Sequence, residues 1–363
     1  MLFRSIGDYL YYDSWQTPLY VRPYGSSSGL TPSRLFNPNF QWEVNKKLEA
    51  AIDLGFAKDR VVLSADWYRN RSSNLLIAYE LPSQTGFLNI PAQNFPAVVQ
   101  NTGFELTLLT KNITGGKFSW STRITLTVPR NKLVSFPGLA TSAYNSVLAI
   151  GQSLHVVRGY KYLGVDPTTG VFQFSGASGK TSSPATTDMG IIGNTDAKWF
   201  GGILNTITYG DFQLDFFFEG NDQNSLSYLQ QVYQNAPPGS LNYGMNNNQP
   251  VAVLARWQTP GQNASLQQFT ATPGTNAYSA VQPFLTSSAT IVNGSFIRLK
   301  TASLSYSLPK TILKKAHVSA TRIYVSGLNL LTFSAFKGAD PETQSFMVTP
   351  PLRTVTGGIQ LNF

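Results

Sequence analysis

Cysteine is absent and histidine nearly so, with His155 and His317 the only two in 363 residues. Without cysteine there are no disulfides, thiolate metal sites or cysteine nucleophiles. The two histidines lie far apart and have no further ligands at metal spacing, so neither a metal nor a cofactor is expected. Charge is scarce as well. Asp, Glu, Lys and Arg make up 12% of the chain, about half the roughly 25% of an ordinary soluble protein. The formal charge is +9, yet basic residues pair only at Lys46 with Lys47 and Lys314 with Lys315. A nucleic-acid surface would cluster them, so none is expected. No apolar run approaches the ~18 residues of a membrane-crossing helix. The opening "MLFRSIGDYLYYDSW" also lacks the basic and apolar regions of an export signal. If this chain meets a membrane, it does so with strands.

What is present is aromatic and alternating. Leu48, Ala50, Ile52, Leu54 and Phe56 alternate with more polar residues, and after a turn at Ala57 to Arg60 so do Val61, Leu63, Ala65 and Trp67. That is a hairpin. A second sets Phe104, Leu106 and Leu108 before "TKNITGGK" and Phe118, Trp120, Thr122, Ile124, Leu126 and Val128 after it. In a third, "GGILNTITY" passes through Gly210 into "DFQLDFFFEG". Three more strands follow: "FIRLKTASLSYSL", "HVSATRIYVSGLNLL" and the closing "TVTGGIQLNF". The apolar phase of the first of these slips around Thr301 to Ser303, which predicts a bulge.

Strands of about nine to thirteen residues exceed the usual five or six and match a tilted membrane crossing. Short turns alternate with long connections, at Arg71 to Gln100, Pro129 to Trp199, Asn221 to Ser295 and Thr332 to Thr354. With the short turns on one side the strand directions alternate consistently, provided the two longest connections hide an even number of crossings. Outer-membrane barrels have this asymmetry. Phe56, Phe118, Phe212 and Phe363 then fall at the short-turn side, facing outward, as an aromatic girdle at headgroup depth. A soluble, glycan-binding β-sandwich is the competing reading of the same alternation.

Several stretches together resemble the C-terminal part of a SusC/RagA-type TonB-dependent outer-membrane transporter of the Bacteroidetes kind. They are "NPNFQWE", "NTGFELTL", "GNTDAKWFGGILNTITYGDFQLDFFFEG", "FIRLKTASLSYSLP", "RIYVSGLNLLTFSAFKGADPE" and "PPLRTVTGGIQLNF", in the family's order. The resemblance implies an all-β fold, an antiparallel transmembrane barrel of which residues 1–363 supply the C-terminal part. That part is about ten strands of a 22-stranded, plugged barrel. Plug, TonB box and signal peptide are expected outside this sequence, and the fragment alone is not expected to transport. The implied partners are a SusD-like surface lipoprotein, the TonB complex through the missing N-terminal region, the barrel assembly machinery, a glycan or peptide substrate, and outer-membrane lipid. Phe363, with Leu361 and Ile359 on the same face, occupies the place of the barrel-assembly signal.

No catalytic residue is expected. Asp211, Asp215 and Glu219 form a row along one strand, whereas glycosidase carboxylates flank a bond from opposed positions; they read as lumen-facing charge. In the long connections, Tyr160, Tyr162, Tyr228, Tyr233, Tyr243 and Trp257 stand among amides and hydroxyls. Flat apolar faces beside such groups suit sugar rings or peptide backbones, so these six are the candidate substrate contacts. "KGADPE", Lys337 to Glu342, reads as a structured external loop.

Overall fold

The structure, a computed structural model, describes residues 11–17, 29–80, 89–232, 249–309, 318–345 and 348–362. Of the residues singled out above, Tyr233, Tyr243, Lys314, Lys315, His317 and Phe363 lie outside them.

Nine long strands form one sheet: β1 (Val44–Phe56), β2 (Val61–Ser73), β3 (Val98–Ile113), β4 (Phe118–Ser135), β5 (Ala197–Tyr209), β6 (Phe212–Leu226), β7 (Phe296–Ser307), β8 (Ala320–Ser334) and β9 (Thr354–Asn362). Their spatial order is their chain order, an uninterrupted meander, with a three-residue strand (Ile291–Asn293) paired to the end of β6. Both long connections therefore return to the neighbouring strand: β4 pairs with β5 and β6 with β7, each antiparallel. Among the described residues the even number of hidden crossings is zero. Several strands are longer than the alternation suggested, up to 18 residues in β4, because pairing continues past the point where the apolar pattern stops.

Register shows which side chains share a face, since directly opposite residues point the same way. Phe118 faces Tyr209, Tyr209 faces Phe212, Phe212 faces Tyr306, Tyr306 faces Ile323, and Ile323 faces Ile359. One continuous aromatic and aliphatic row thus crosses six strands at the short-turn end, with the Phe212 and Tyr306 rings 4.6 Å apart. Phe56 closes β1 at the same end and is 53% exposed. Ile203, Leu214, Leu304 and Val325 continue this face, all exposed. A β-sandwich would cover such a face with a second sheet; among the described residues this one is bare.

The predicted bulge is present, centred on Lys300, one residue before the expected position. Leu299 pairs with Phe218 and Thr301 with Phe217, so Lys300 is the extra residue. Ile297 and Leu299 lie outward before it and Ala302, Leu304 and Tyr306 after it, so the inserted residue is what keeps both halves of β7 apolar-side out.

The chain divides into two compact units. The smaller (Met1–Glu49, Tyr68–Thr102, Asn131–Leu154) contains the long-loop ends of β1 to β4 and a core of Phe95, Ala97, Val99, Leu133 and Phe136. There Phe95 meets Phe136 edge-on at 4.7 Å. The larger (Ala50–Trp67, Gly103–Arg130, His155–Phe363) contains β5 to β9 and a second core built from the two longest connections.

Face assignment is testable in a bilayer. Ile203→Arg, on the apolar face, is expected to cost about 2–4 kcal/mol if it lies near the midplane, and Ser303→Arg, on the opposite face, close to nothing. Urea unfolding of the membrane-inserted protein measures both.

Candidate functional site

The polar face carries a charge cluster at the long-loop end of the sheet. Arg298, on β7, is 1% exposed and satisfied on every side. Its Nε donates to Thr332 Oγ1 of β8 at 3.0 Å, Nη2 to Asp340 at 2.5 Å and Nη1 to Glu342. Lys300, aimed by the bulge, lies 2.9 Å from Glu219 of β6 and 3.0 Å from Glu342. Asp340 Oδ1 also accepts the backbone N–H of Glu342, and Gln223 Nε2 donates to the Pro341 carbonyl at 3.1 Å. The loop read as "KGADPE" is thereby strapped to two wall strands, β6 and β7. Only a guanidinium offers enough donors in fixed geometry to hold two carboxylates and a hydroxyl at once. Glu219 belongs to this cluster, while Asp215 is held by Thr206 and Gln213, each at 2.7 Å. Asp215 and Glu219 are thus tied up in the wall and not presented as a catalytic pair, while Asp211 is exposed in the turn before β6.

The two longest connections fold together. Strands Tyr162–Val165, Phe172–Gly176 and Gly179–Thr181 form a small sheet, against which a one-turn helix (Val281–Leu285) from the other connection packs. Phe172 stacks on Phe284 at 4.1 Å, and Tyr162 meets both edge-on. Gln267 is fully buried: its Oε1 accepts from Phe172 N at 3.2 Å and its Nε2 donates to Ala277 O at 2.7 Å. Beside this core opens a cavity of about 460 Å³ lined by Thr169, Gln268, Phe269, Thr270, Thr275 and Asn276. Its walls combine hydroxyls, amides and one exposed ring, without a charge.

The aromatic residues singled out from the sequence sit mostly under this surface. Tyr160 is buried against Phe174, and its backbone bonds Thr286 and Ser288. Tyr162 is enclosed enough that burial pushes its phenol from 10.0 up to about 12. Trp257 lies over Gly170, where a Cβ would stand 2.3 Å from its ring, and donates Nε1–H to Pro167 O at 3.0 Å. Tyr228 opens a one-turn helix, half-buried. These side chains build the loop core; the cavity is lined instead by Thr, Gln and Asn side chains with Phe269, Val171 and two alanines. Close by, Asp166 caps the turn before Gly170, and the Thr169 and Thr168 N–H groups hold its carboxyl below the usual range. His155 bonds Asp196 at 2.7 Å. Among the described residues no group of acidic or histidine side chains is placed to hold a metal.

The model of the TonB dependent receptor-like β-barrel matches residues 3–205, more than half the chain. The chain belongs to this family. TonB-dependent receptor P3 of Formosa agariphila is 27% identical over 379 residues, covering 93% of this chain and 36% of that protein. TonB-dependent receptor P26 of the same organism is 27% identical over 341 residues, covering 88% and 33%. The chain thus spans about a third of the length of these relatives. The fold is that of the solved RagAB peptide transporter, with TM-score 0.78 and 20% identity over 97% of this chain and 38% of that one. The RagAB peptide importer in its open-open state gives TM-score 0.78 and 21% identity over 99% and 38%.

As a TonB-dependent receptor barrel chain, this protein lies in the outer membrane and crosses it with strands. Its exposed apolar face is the lipid face, and its relatives are named receptors and transporters, not enzymes. The Arg298 strap was missed in the sequence, although a basic pair two residues apart beside a phase slip, and two carboxylates in one loop, were in view.

Arg298→Met is expected to leave Asp340 and Glu342 without their partner, at about 3–5 kcal/mol for a broken buried pair. Faster tryptic cleavage after Lys337 in the folded protein measures the release. The Tyr162 phenol is raised in the fold, so its contribution is complete below pH 10.0 and is lost as pH rises toward about 12. An alkaline difference titration of the parent against Tyr162→Phe should therefore lack one late-titrating phenol and nothing near pH 10.

Proposed function

We propose that this chain forms wall and extracellular loops of a TonB-driven importer of oligosaccharides or peptides. The observation that carries the reading is the two-faced meander, with apolar side chains toward lipid, a polar face behind them, and long connections folded into a cap on one side only. Among the described residues β1 and β9 each have one neighbour in the sheet. Unpaired edges in hydrocarbon cost several kcal/mol per group, on the order of tens in total. A stability of about 5–15 kcal/mol cannot absorb that. We therefore infer that further strands close the barrel, 22 in all around a plug. The outward row of β9, with Ile359 and Leu361 exposed, would serve barrel assembly together with Phe363.

Substrate would meet the uncharged cavity beside Phe269, whose hydroxyls and amides fit neutral sugars or a peptide backbone. The name of the RagAB structures favours peptides as one class to test. A surface lipoprotein would cover the cap. Val251 and Leu254, 81% and 73% exposed on one short 3-10 turn, supply an apolar knob for it.

Two measurements check this in cells making the complete protein. Uptake of labelled oligosaccharides or peptides should stop when TonB is removed; uptake that persists would sink the transport reading. Replacing Val251 and Leu254 with Asp should lower recovery of the co-purifying lipoprotein at least tenfold while leaving heat-modifiable migration of the barrel unchanged.

A further inference from the structure

Gly201 of β5 and Gly220 of β6 face each other directly across the sheet, on the apolar side. The register places Leu126 on one flank of this pair and Ile297 on the other. The next row toward the short turns is full, with Ile124, Ile203 and Phe218 in register. On the long-loop side the Trp199 ring leans over Gly220, 3.3 Å from where a Cβ would stand. Two side chains are missing side by side from the lipid-facing layer of β4 to β7, and they leave a groove of about 220 Å³ walled mainly by aliphatic and aromatic groups.

The rim above the groove is basic. Arg130, outward on β4 and exposed, donates Nη1–H to the carbonyl of Lys198, the residue before Trp199, at 2.8 Å. Lys198 is itself mostly exposed and pairs with Asp222 at 3.2 Å. Two cations and one carboxylate leave a net positive charge directly above an apolar slot.

We propose that this groove retains one acyl chain of a lipid that carries phosphomonoester groups and no cation of its own, from the leaflet on the long-loop side, with Arg130 and Lys198 meeting a phosphate. The pairing of charge and slot selects that occupant. A neutral lipid would fill the slot without answering the cations, and a soluble anion would answer the cations without filling the slot. The proposal requires the membrane-facing wall alone and is independent of transport, so loss of uptake and loss of lipid retention are separate results.

The test uses the complete protein in nanodiscs containing either lipid A or phosphatidylethanolamine, released into mild detergent and weighed by native mass spectrometry. The parent should retain lipid A and at least fivefold less phosphatidylethanolamine. Gly220→Leu, which fills the slot at the cost of a small shift of the Trp199 ring, should lose most of the retained lipid A. Arg130→Glu alters only an exposed side chain, guards against misfolding of the first variant, and should lower retention at least threefold. Equal retention by all three proteins, or no preference between the two lipids in the parent, would overturn the proposal.

Discussion

A backbone amide in hydrocarbon has no water to turn to, and the rest of this structure follows from that. Each strand long enough to cross must be paired along its whole crossing. The uninterrupted order β1 to β9 does this with the least chain, since every strand finds its partner next in sequence. Long connections are allowed only where they leave the sheet and return to the adjacent position, and both of the longest do so. The same requirement makes the two edge strands the part of the sheet that most needs a partner.

Lipid on one side and polar space on the other impose strict alternation, and the bulge at Lys300 shows what happens where alternation and pairing conflict. Without the extra residue, half of β7 would turn its leucines inward. With it, the apolar side stays outward along the whole strand, and the displaced lysine points to Glu219 and Glu342. A local irregularity needed by the membrane face thus supplies one member of the charge cluster on the opposite face. Arg298 sits two residues away on the same polar side and completes the hold on the 337–345 loop.

This division explains what could be read from the residues. The hairpins and the strand-end positions of Phe56, Phe118 and Phe212 were legible because a period of two is local and repeats at each step. So was the phase slip. The roles of Tyr160, Tyr162 and Trp257 were not legible, because they depend on Phe172 stacking on Phe284, a contact between two different connections with no shared periodicity. An aromatic residue among amides looks the same in sequence whether its ring caps a cavity or supports one. Gly201 and Gly220 were hidden for a related reason: each is an ordinary glycine in a strand, and only the register places one opposite the other.

The two interlocked connections and the strapped 337–345 loop have different kinds of attachment, and this bears on which can move. The cap is held by an apolar core of Phe172, Phe174 and Phe284 with a buried glutamine at its centre. Opening it would expose that core to water and unpair Gln267, so it behaves as a fixed shelf. The strap is held by charged groups whose outer members are solvated: Glu342 and Lys300 are about one-third exposed even while Arg298 is sealed. Water or a competing carboxylate can reach those outer pairs, whereas nothing of comparable size reaches the stacked rings. Fastened by such exchangeable ion pairs, the 337–345 loop can give up its outer partners one at a time, whereas the packed cap has to lose its core all at once.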